Sequence, residues 1–259
     1  MMINLLATGY SKLFRNLAFR VCLIVMTVIP MFLTSVAVMK SSPAAGPLNG
    51  IYNTGMMFIG LLTGGFVSLF ISQDYMEKTI NNKIMAGYSR TAIYLSDLIV
   101  TITGTLIMQL TCIVASSLIA IPCRGMYNDS FSRGIGTQLI IFCVISVYAA
   151  LVLLICTIIN SKSYAVAVSM IAMILMLIAG IAVYDMVASK NDAPAAQTEI
   201  TTEDKIAEKL SFVLPQSQMY VVMDKGLTAK TAKMIGFDVI SVTVMSLAGL
   251  LIFKRKDIK

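Results

Sequence analysis

The side chains best able to do polar chemistry lie in one short stretch of this 259-residue chain, Gln73–Asp97, which reads QDYMEKTINNKIMAGYSRTAIYLSD. Carboxylates such as Asp74 alternate there with cations such as Lys78, and these can form ion pairs and hydrogen bonds with a partner surface. The chain contains no His, the most common general base and metal ligand. It also has no GxxxxGK[ST] sequence, so it cannot bind ATP through a P-loop of its own. We therefore expect no catalytic residue, cofactor or metal in this chain.

The five cysteines give no sign of a redox or metal site. Their number is odd and none is in a CxxC spacing, which argues against a disulfide framework or a zinc site. Four of them lie inside apolar runs, where a free Cys behaves as a small buried hydrophobic side chain. The five are Cys22, Cys112, Cys123, Cys143 and Cys156.

The composition indicates a polytopic membrane protein. Hydrophobic residues make up 58% of the chain and charged residues 13%, and the mean hydropathy is +0.84. A soluble domain usually has about 25% charged residues. The net charge is +7, but Lys and Arg sit at the ends of apolar runs and not in one patch interleaved with aromatic residues. We therefore expect contact with anionic lipid headgroups and no nucleic-acid partner.

Six apolar runs are long enough to cross a bilayer, for which roughly 20 residues are needed. The third run is longer than this, so it must tilt or extend beyond the hydrocarbon. The sequence thus predicts an all-α polytopic membrane protein with six transmembrane helices, forming a single domain. The predicted spans are Val21–Met39, Asn53–Ser72, Ile93–Ile121, Gly136–Ile159, Tyr164–Val187 and Met234–Phe253.

Residues 1–19 predict an amphipathic helix that lies in the headgroup layer ahead of the first span. Apolar residues recur there at helical spacing, while Lys12, Arg15 and Asn16 lie mostly off that stripe. A plain cytosolic tail is the alternative. The apolar stripe consists of Ile3, Leu6, Tyr10, Leu13 and Leu17.

The distribution of Lys and Arg predicts that both termini are cytosolic. With that orientation the inside segments hold eleven basic residues and the two short outside loops hold three. The long segment 188–233 is then extracellular. Within it, Thr201-Thr202-Glu203-Asp204 resembles a helix-capping signal, and we expect a short amphipathic helix at the outer surface that Pro215 terminates.

The segment between the second and third spans predicts a cytosolic helix over residues 73–88. Ser72 is a suitable N-cap, and Asp74 then lies in the positive first turn and pairs with Lys78 at i,i+4. Gly87 suits the left-handed end of the helix, and Ser89 suits the cap of the next one. A helix joined at both ends to spans transmits force, because pushing it tilts both spans together.

One face of this predicted helix is apolar. Met76, Ile80 and Ile84 recur every four residues and form a stripe. Such a stripe can dock on a partner or pack beneath the spans. A solvated loop helix without a partner is the third alternative.

The same segment resembles the motif that follows the second span of bacterial ABC-2-type permeases, the membrane subunits of ABC exporters. Two positions depart from the family pattern: Lys78 replaces the usual Gly, and Asp74 is one methylene shorter than the common Glu. The overall layout is similar too, with a leading interface helix, six spans and Pro-Gln before the last span. The matching positions are Asp74, Thr79-Ile80, Asn82-Lys83, Gly87, Ser89-Arg90 and Ile93-Tyr94.

The resemblance implies a function and partners. The segment would be a coupling helix seated in a cleft of a separate ATP-binding cassette ATPase subunit, which binds ATP and Mg²⁺. Two ATPase chains would then serve two permease chains, identical or related, in a bacterial plasma membrane. The cargo would be an amphipathic or hydrophobic molecule moved outward, such as an antimicrobial peptide or drug. The expected ATPase interface comprises Asp74, Glu77, Lys78, Ile80, Asn81, Asn82, Lys83, Ile84, Gly87, Ser89 and Arg90.

Two other functions remain open on the sequence. The chain could export ions or a polymer with the same architecture, or it could be a non-transporting sensor or scaffold that recruits a cytosolic protein.

Several polar or small residues within the spans also have alternative roles. Gly60 and Gly64 form a GxxxG that permits close helix packing. Gln109 lies mid-span, where it could line a polar pathway or make an interhelical hydrogen bond. The carboxylates near predicted span ends are expected to be interfacial, since a deep carboxylate would indicate ion coupling. These are Asp97, Asp185 and Asp238.

Overall fold

The computed structural model of the chain describes residues 2–40, 51–124, 131–159, 161–191, 202–225 and 231–255. Throughout these ranges the chain is helical and contains no strand, so the predicted all-α class is confirmed. The elements are α1 (Met2–Arg15), α2 (Leu17–Lys40), a 3₁₀ helix η1 (Ile51–Phe58), α3 (Ile59–Met76), α4 (Thr79–Met85), α5 (Arg90–Arg124), α6 (Phe131–Ile158), α7 (Lys162–Asn191), α8 (Thr202–Val213), α9 (Pro215–Lys225) and α10 (Thr231–Arg255).

Six of the described helices are long and apolar enough to cross a membrane, as predicted. The protein is therefore an all-α polytopic membrane protein. The third span is the longest, with 34 residues, as its long apolar run indicated. The spans run over Leu17–Lys40, Gly55–Met76, Arg90–Cys123, Gly134–Ile158, Lys162–Ala188 and Thr231–Arg255.

Because successive spans alternate in direction, α1, α4 and the last turn of α10 lie at one end of the bundle. We call this the charged end. A guanidinium N–H of Arg90, at the start of α5, donates to the backbone carbonyl of Lys254 in α10 (2.8 Å). Lys12 in α1 likewise reaches Asp74 in the last turn of α3. The first and last described helices thus meet the central segment at the same end.

Helices α3 and α6 form the centre of the bundle. Of the most apolar 18-residue window of each, 67% is buried, compared with 11% for α10. The contacts of α3 matter most for the candidate site. Helix α3 packs against α2, α5, α6 and α7, with Phe66 and Phe70 among its fully buried side chains. Apolar side chains on the outer helices remain exposed, as expected where lipid and not water surrounds the bundle. A displacement of α3 would therefore move or repack most of the other spans.

The two glycines of the GxxxG sequence bring α3 close to helices of the same chain. A Cβ added to Gly60 would lie 3.0 Å from the ring of Tyr148 in α6. A Cβ on Gly64 would lie 2.6 Å from Cγ of Met173 in α7. The missing side chains therefore make room for α6 and α7, and the close packing that GxxxG permits occurs here inside one chain.

The N-terminal amphipathic helix is shorter than the predicted 1–19. Helix α1 ends at Arg15, and Asn16 separates it from α2 because its Oδ1 accepts a hydrogen bond from the backbone N–H of Phe19 (3.2 Å). Members of the predicted stripe differ in exposure: Leu13 is buried, whereas Ile3 and Leu17 are 78% and 70% exposed, and Leu17 already belongs to α2. Leu5, outside the predicted stripe, is also buried, and α1 packs along α5.

The segment 188–233 is more structured than a loop with one surface helix. It includes the end of α7, the predicted helix as α8, a further helix α9 and the start of α10, while residues 192–201 and 226–230 lie outside the described part. Thr201, the first residue of the expected capping signal, is among the latter. Pro215 does not merely terminate α8. It occupies the first position of α9, where its missing N–H leaves no internal bond unmade.

The first turn of α9 is buried between α6 and α7. Gln216, Ser217 and Gln218 are each at most 2% exposed. Gly180 of α7 makes this approach possible, because a Cβ there would lie 2.7 Å from Cγ of Gln216 and 3.1 Å from the backbone N of Ser217. Tyr148 of α6 donates its hydroxyl proton to Oε1 of Gln216 (2.7 Å). The polar first turn of α9 is thus part of the bundle.

Candidate functional site

The predicted single helix over 73–88 is wrong in its first half. Helix α3 continues to Met76, and the chain breaks at Glu77 and at Lys78, which adopts a left-handed conformation with φ 52°. The short helix α4 then covers only Thr79–Met85. Ser72 is not a cap: it is buried within α3 and its hydroxyl lies 3.8 Å from Sγ of Cys156. No Gly or Pro lies between Ser72, where the second span was predicted to end, and Met76, so the helix of the span continues to Met76.

Asp74 is the centre of the site. Its side chain is only 4% exposed, and its Oδ1 accepts hydrogen bonds from Nζ of Lys12 (2.6 Å) and from the hydroxyl of Thr79 (2.7 Å). Its Oδ2 lies 3.3 Å from Nζ of Lys83. One carboxylate thereby joins α1, α3 and α4, and its many donors satisfy a charge that would be costly to bury alone.

The network extends to the third span through Lys83. Nζ of Lys83 lies 3.5 Å from Oδ1 of Asp97 in α5 as well as near Asp74. Burial opposes the charged form of Lys83 and would lower its pKa, but the carboxylates of Asp97 and Asp74 outweigh burial and raise the pKa above its ordinary value. We call Lys12, Asp74, Lys83 and Asp97 the charged junction.

Lys12 is a member of the site that the sequence analysis missed. It donates to Asp74 and to the backbone carbonyl of Phe70 (3.0 Å), and its Nζ lies 4.3 Å from the centroid of the Phe70 ring. The predicted pair of Asp74 with Lys78 is wrong, because Asp74 belongs to α3 and Lys78 is exposed beyond the break. The sequence alone indicated only that Lys12 lies off the apolar stripe of the N-terminal helix, and not that it pairs with Asp74.

The end of α4 agrees with the prediction. Gly87 has φ 85°, a left-handed conformation that Gly adopts without steric cost. The hydroxyl of Ser89 accepts a hydrogen bond from the backbone N–H of Ala92 (3.2 Å), which caps α5. These two local signals fix where α4 stops and the third span begins.

Arg90 has a structural role inside the chain. Its guanidinium donates to the carbonyls of Phe253 (3.4 Å) and Lys254 (2.8 Å), the last turn of α10. A cation at a helix C-terminus satisfies free carbonyls and complements the helix dipole. Arg90 therefore ties the start of α5 to the last span.

The predicted interface residues separate into three groups by exposure, beside two exposed methionines. Met85 is 77% exposed and Met76 is 62% exposed, and they flank a polar, exposed edge. Of the apolar stripe, Ile80 is buried beneath the spans, Ile84 packs partly against the same core and only Met76 is free. The exposed members of the predicted interface are Glu77, Lys78, Asn82, Gly87 and Ser89; the half-buried ones are Asn81, Lys83, Ile84 and Arg90; the buried ones are Asp74 and Ile80.

Gln109 makes the interhelical hydrogen bond that the sequence allowed. Its Nε2 donates to the carbonyl of Gln138 (2.9 Å) and lies 3.1 Å from Oε1 of the same residue. Nε2 of Gln138 donates in turn to Oδ1 of Asn53 (2.8 Å). The resulting chain of amides links α5, α6 and η1.

The three carboxylates have different environments. Asp97 is in the charged junction and Asp185 is exposed. Asp238 is 2% exposed, and its Oδ2 has no hydrogen-bond partner within the described structure. The interfacial depth of the three carboxylates stays a prediction, and the structure adds that protein encloses Asp238. A buried carboxylate of this kind in a span is a functional candidate.

No group of three or more His, Cys, Asp or Glu side chains in the described part of the chain is arranged to hold a metal ion. A search against protein-family models finds no match for this chain, and a search of curated proteins finds none either. The site must therefore be interpreted from its own geometry.

Proposed function

We propose that this protein is the membrane-spanning permease subunit of an ATP-driven exporter, with α4 as its coupling helix. The observation that carries the proposal is the attachment of α4. A seven-residue helix is held to α1, α3 and α5 through Asp74 and Lys83, yet it exposes Met85 and a polar edge at the end of the bundle. A loop that merely connects two spans needs no such attachment.

The attachment would let α4 transmit force. A displacement of α4 pulls on Asp74 at the end of α3, one of the two most buried spans, and on Asp97 in α5. Ile80 packs into the core beneath the spans and adds a rigid contact. A partner that binds α4 differently in two states would thereby shift the population of two arrangements of the spans.

The exposed surface of α4 suits a protein partner. Methionine is flexible and polarisable, and it is frequent at adaptable binding surfaces. Met76 and Met85 lie on either side of the polar side chains of Glu77, Lys78 and Asn82. Apolar contacts within a polar rim are the usual composition of a protein interface.

The resemblance to ABC-2-type permeases supplies the identity of the proposed partners. Two ATP-binding cassette ATPase subunits would bind ATP and Mg²⁺, and a second copy of this chain or a related permease would complete the complex. The location would be a bacterial plasma membrane with both termini cytosolic, so that the charged end faces the ATPases. The cargo class is an amphipathic or hydrophobic molecule, such as an antimicrobial peptide or drug.

The proposal is tested by co-purification and ATP hydrolysis of the complex with a Met85→Glu variant. Met39→Glu is the matched control, because Met39 is 85% exposed at the opposite end of the bundle. We expect Met85→Glu to weaken ATPase recovery about tenfold or more, the effect of a lost interface side chain worth at least 1.4 kcal/mol. Met39→Glu should leave recovery unchanged.

Two outcomes would contradict the proposal. If a well-folded chain retains no ATPase under several mild detergents, a non-transporting sensor or scaffold becomes the better interpretation. If Met85→Glu and Met39→Glu behave alike, α4 is not the docking surface.

A further inference from the structure

A cleft of about 510 Å³ lies at the charged end, between the elbow that joins α1 to α2, the last turn of α3 and the start of α7. Three cations line it: Lys12, Arg15 and Lys162. The apolar side chains of Leu17 and Leu69 also contribute to its wall. Of the charged junction, Lys12 and Asp74 are the two members that line the cleft.

The charge in the cleft is positive and partly uncompensated. Lys12 is paired with Asp74, and Asp74 is nearly buried and neutralised also by Lys83. In the described part of the chain, Arg15 and Lys162 form no ion pair. The wall also holds one exposed acid, Glu77, which keeps its charge because its hydrogen-bond donor, Nε2 of Gln73 (2.6 Å), is neutral; the charged side chains of the lining therefore leave a net charge of +1.

Two helix N-termini add to this positive potential. Helix α2 begins at Leu17 and α7 begins at Lys162, and neither has an acidic residue in its first turn. The N-terminal end of a helix carries a partial positive charge, so a Lys at that position is unfavourable unless an anion is nearby. Around this one cavity, three cations and two positive helix ends outweigh the two carboxylates of Asp74 and Glu77.

The apolar part of the wall indicates what kind of anion fits. Leu17 is 70% exposed at the first residue of a span, beside the cleft. This is the level at which a bilayer presents phosphates next to acyl chains. We propose that the cleft binds an anionic phospholipid, with its phosphate between Arg15 and Lys162 and its acyl chain along Leu17 and Leu69. The bound lipid joins the α1–α2 elbow to α7, two elements that the charged junction does not connect.

This inference does not depend on transport. It requires only that the charged end lies at a membrane surface, so it can hold or fail whatever the outcome with the ATPase. A free phosphate has the same chemistry as the lipid headgroup, and the experiment must separate these two sources.

The test follows thermal unfolding of the purified full chain in neutral detergent by loss of helical circular dichroism. Dioleoylphosphatidylglycerol, dioleoylphosphatidylcholine or inorganic phosphate is added in increasing amounts. A ligand that binds the native state raises the unfolding midpoint by mass action. The proteins compared are the wild type, Arg15→Gln/Lys162→Gln, and the control Lys254→Gln/Arg255→Gln, which removes the same charge at the same end of the bundle.

We expect phosphatidylglycerol, and not phosphatidylcholine, to raise the midpoint of the wild type and the control. In Arg15→Gln/Lys162→Gln the amount needed for half of the shift should rise about tenfold or more, because two charge-assisted hydrogen bonds are lost. The single variants Arg15→Gln and Lys162→Gln should each show an intermediate increase. Arg15 is exposed and Lys162 is half-buried in the cleft wall, so neither substitution opens the core.

Three results would overturn the inference. Equal shifts in the two double variants would show that general surface charge is responsible. Equal shifts with the two lipids would show that the net negative charge of the headgroup is not recognised. A full shift with inorganic phosphate alone would assign the cleft to a soluble anion.

Discussion

At the scale of single residues, Asp74 decides the arrangement of the site. Its carboxylate has lost almost all contact with solvent, and its stability in that position depends on Lys12, Thr79 and Lys83. A buried ion pair contributes little net stability compared with apolar packing, but breaking one leaves an uncompensated charge. The junction therefore determines which helices are held together more than how stable the fold is.

We expect Asp74→Asn to lower the free energy of unfolding by about 3 kcal/mol, because two ammonium groups lose their common counter-charge. The measurement is denaturant unfolding in detergent. Glu77→Gln is the control, since this exposed carboxylate lies three residues away and its loss should cost within about 0.5 kcal/mol. A double-mutant cycle that combines Lys12→Met with Asp74→Asn should give an interaction free energy of about 0.5–3 kcal/mol between the two residues. Strict additivity would mean that the ion pair is not formed in solution.

The raised pKa of Lys83 predicts how the junction responds to alkali. A Lys whose pKa is higher in the folded than in the unfolded state contributes stability that is complete below the unfolded value, about 10.4, and is lost as the pH rises through the folded value. The wild type should therefore lose more stability than Lys83→Met between neutral pH and strong alkali. Equal losses in unfolding titrations of the two proteins would contradict this.

At the scale of helices, the sequence predicted those boundaries that depend on local chemistry. Gly87 and Ser89 define the end of α4 and the start of α5 by backbone conformation and by a cap, which neighbouring residues alone determine. The start of α4 could not be predicted in this way. The chain breaks there at Lys78, a residue type with no preference for the left-handed conformation that it adopts. Asp74 is held at this break by Lys12, which lies 62 residues away, and no local pattern shows such a contact.

Helix α9 shows the same limit. Pro215 predicted the end of one helix correctly, but Pro is equally suited to the first position of the next. Gln216 and Ser217 are buried against Gly180 through tertiary packing, and their polar side chains gave no indication of this burial. A polar residue in a short segment indicates exposure unless its partners are known.

The close approach of α9 to α7 predicts the effect of a methyl group at Gly180. Ala is a better helix former than Gly by about 1 kcal/mol, but here its Cβ would meet Gln216 and the backbone of Ser217. Gly236 in α10 has no atom within 4 Å of such a Cβ, so Gly236→Ala gains the propensity without the clash. We expect Gly180→Ala to be less stable than Gly236→Ala by about 1–3 kcal/mol in thermal or denaturant unfolding. The reverse order would show that α9 does not insert.

At the scale of the whole molecule, composition and apolar run lengths were sufficient to predict six spans, because a bilayer imposes both. They were not sufficient to predict which spans are central. The burial of α3 depends on Gly60, Gly64 and their neighbours, whereas α10 has a mean hydropathy at least as high (2.1 compared with 1.8) but lies mostly at the periphery. Span order and burial are set by helix–helix packing, to which hydropathy is insensitive.

The bundle also makes the predicted orientation testable with one native side chain. Cys123 is exposed near the end of α5 opposite to the charged end, whereas Cys22, Cys112 and Cys156 are buried. If basic residues mark the cytosolic side, a membrane-impermeant maleimide should label Cys123 in intact cells. It should not label Asn82→Cys in a Cys123→Ser background until the membrane is opened, because α4 lies at the charged end. Labelling of Asn82→Cys from outside, with Cys123 protected, would reverse the orientation and place α4 where no ATP-driven partner could reach it.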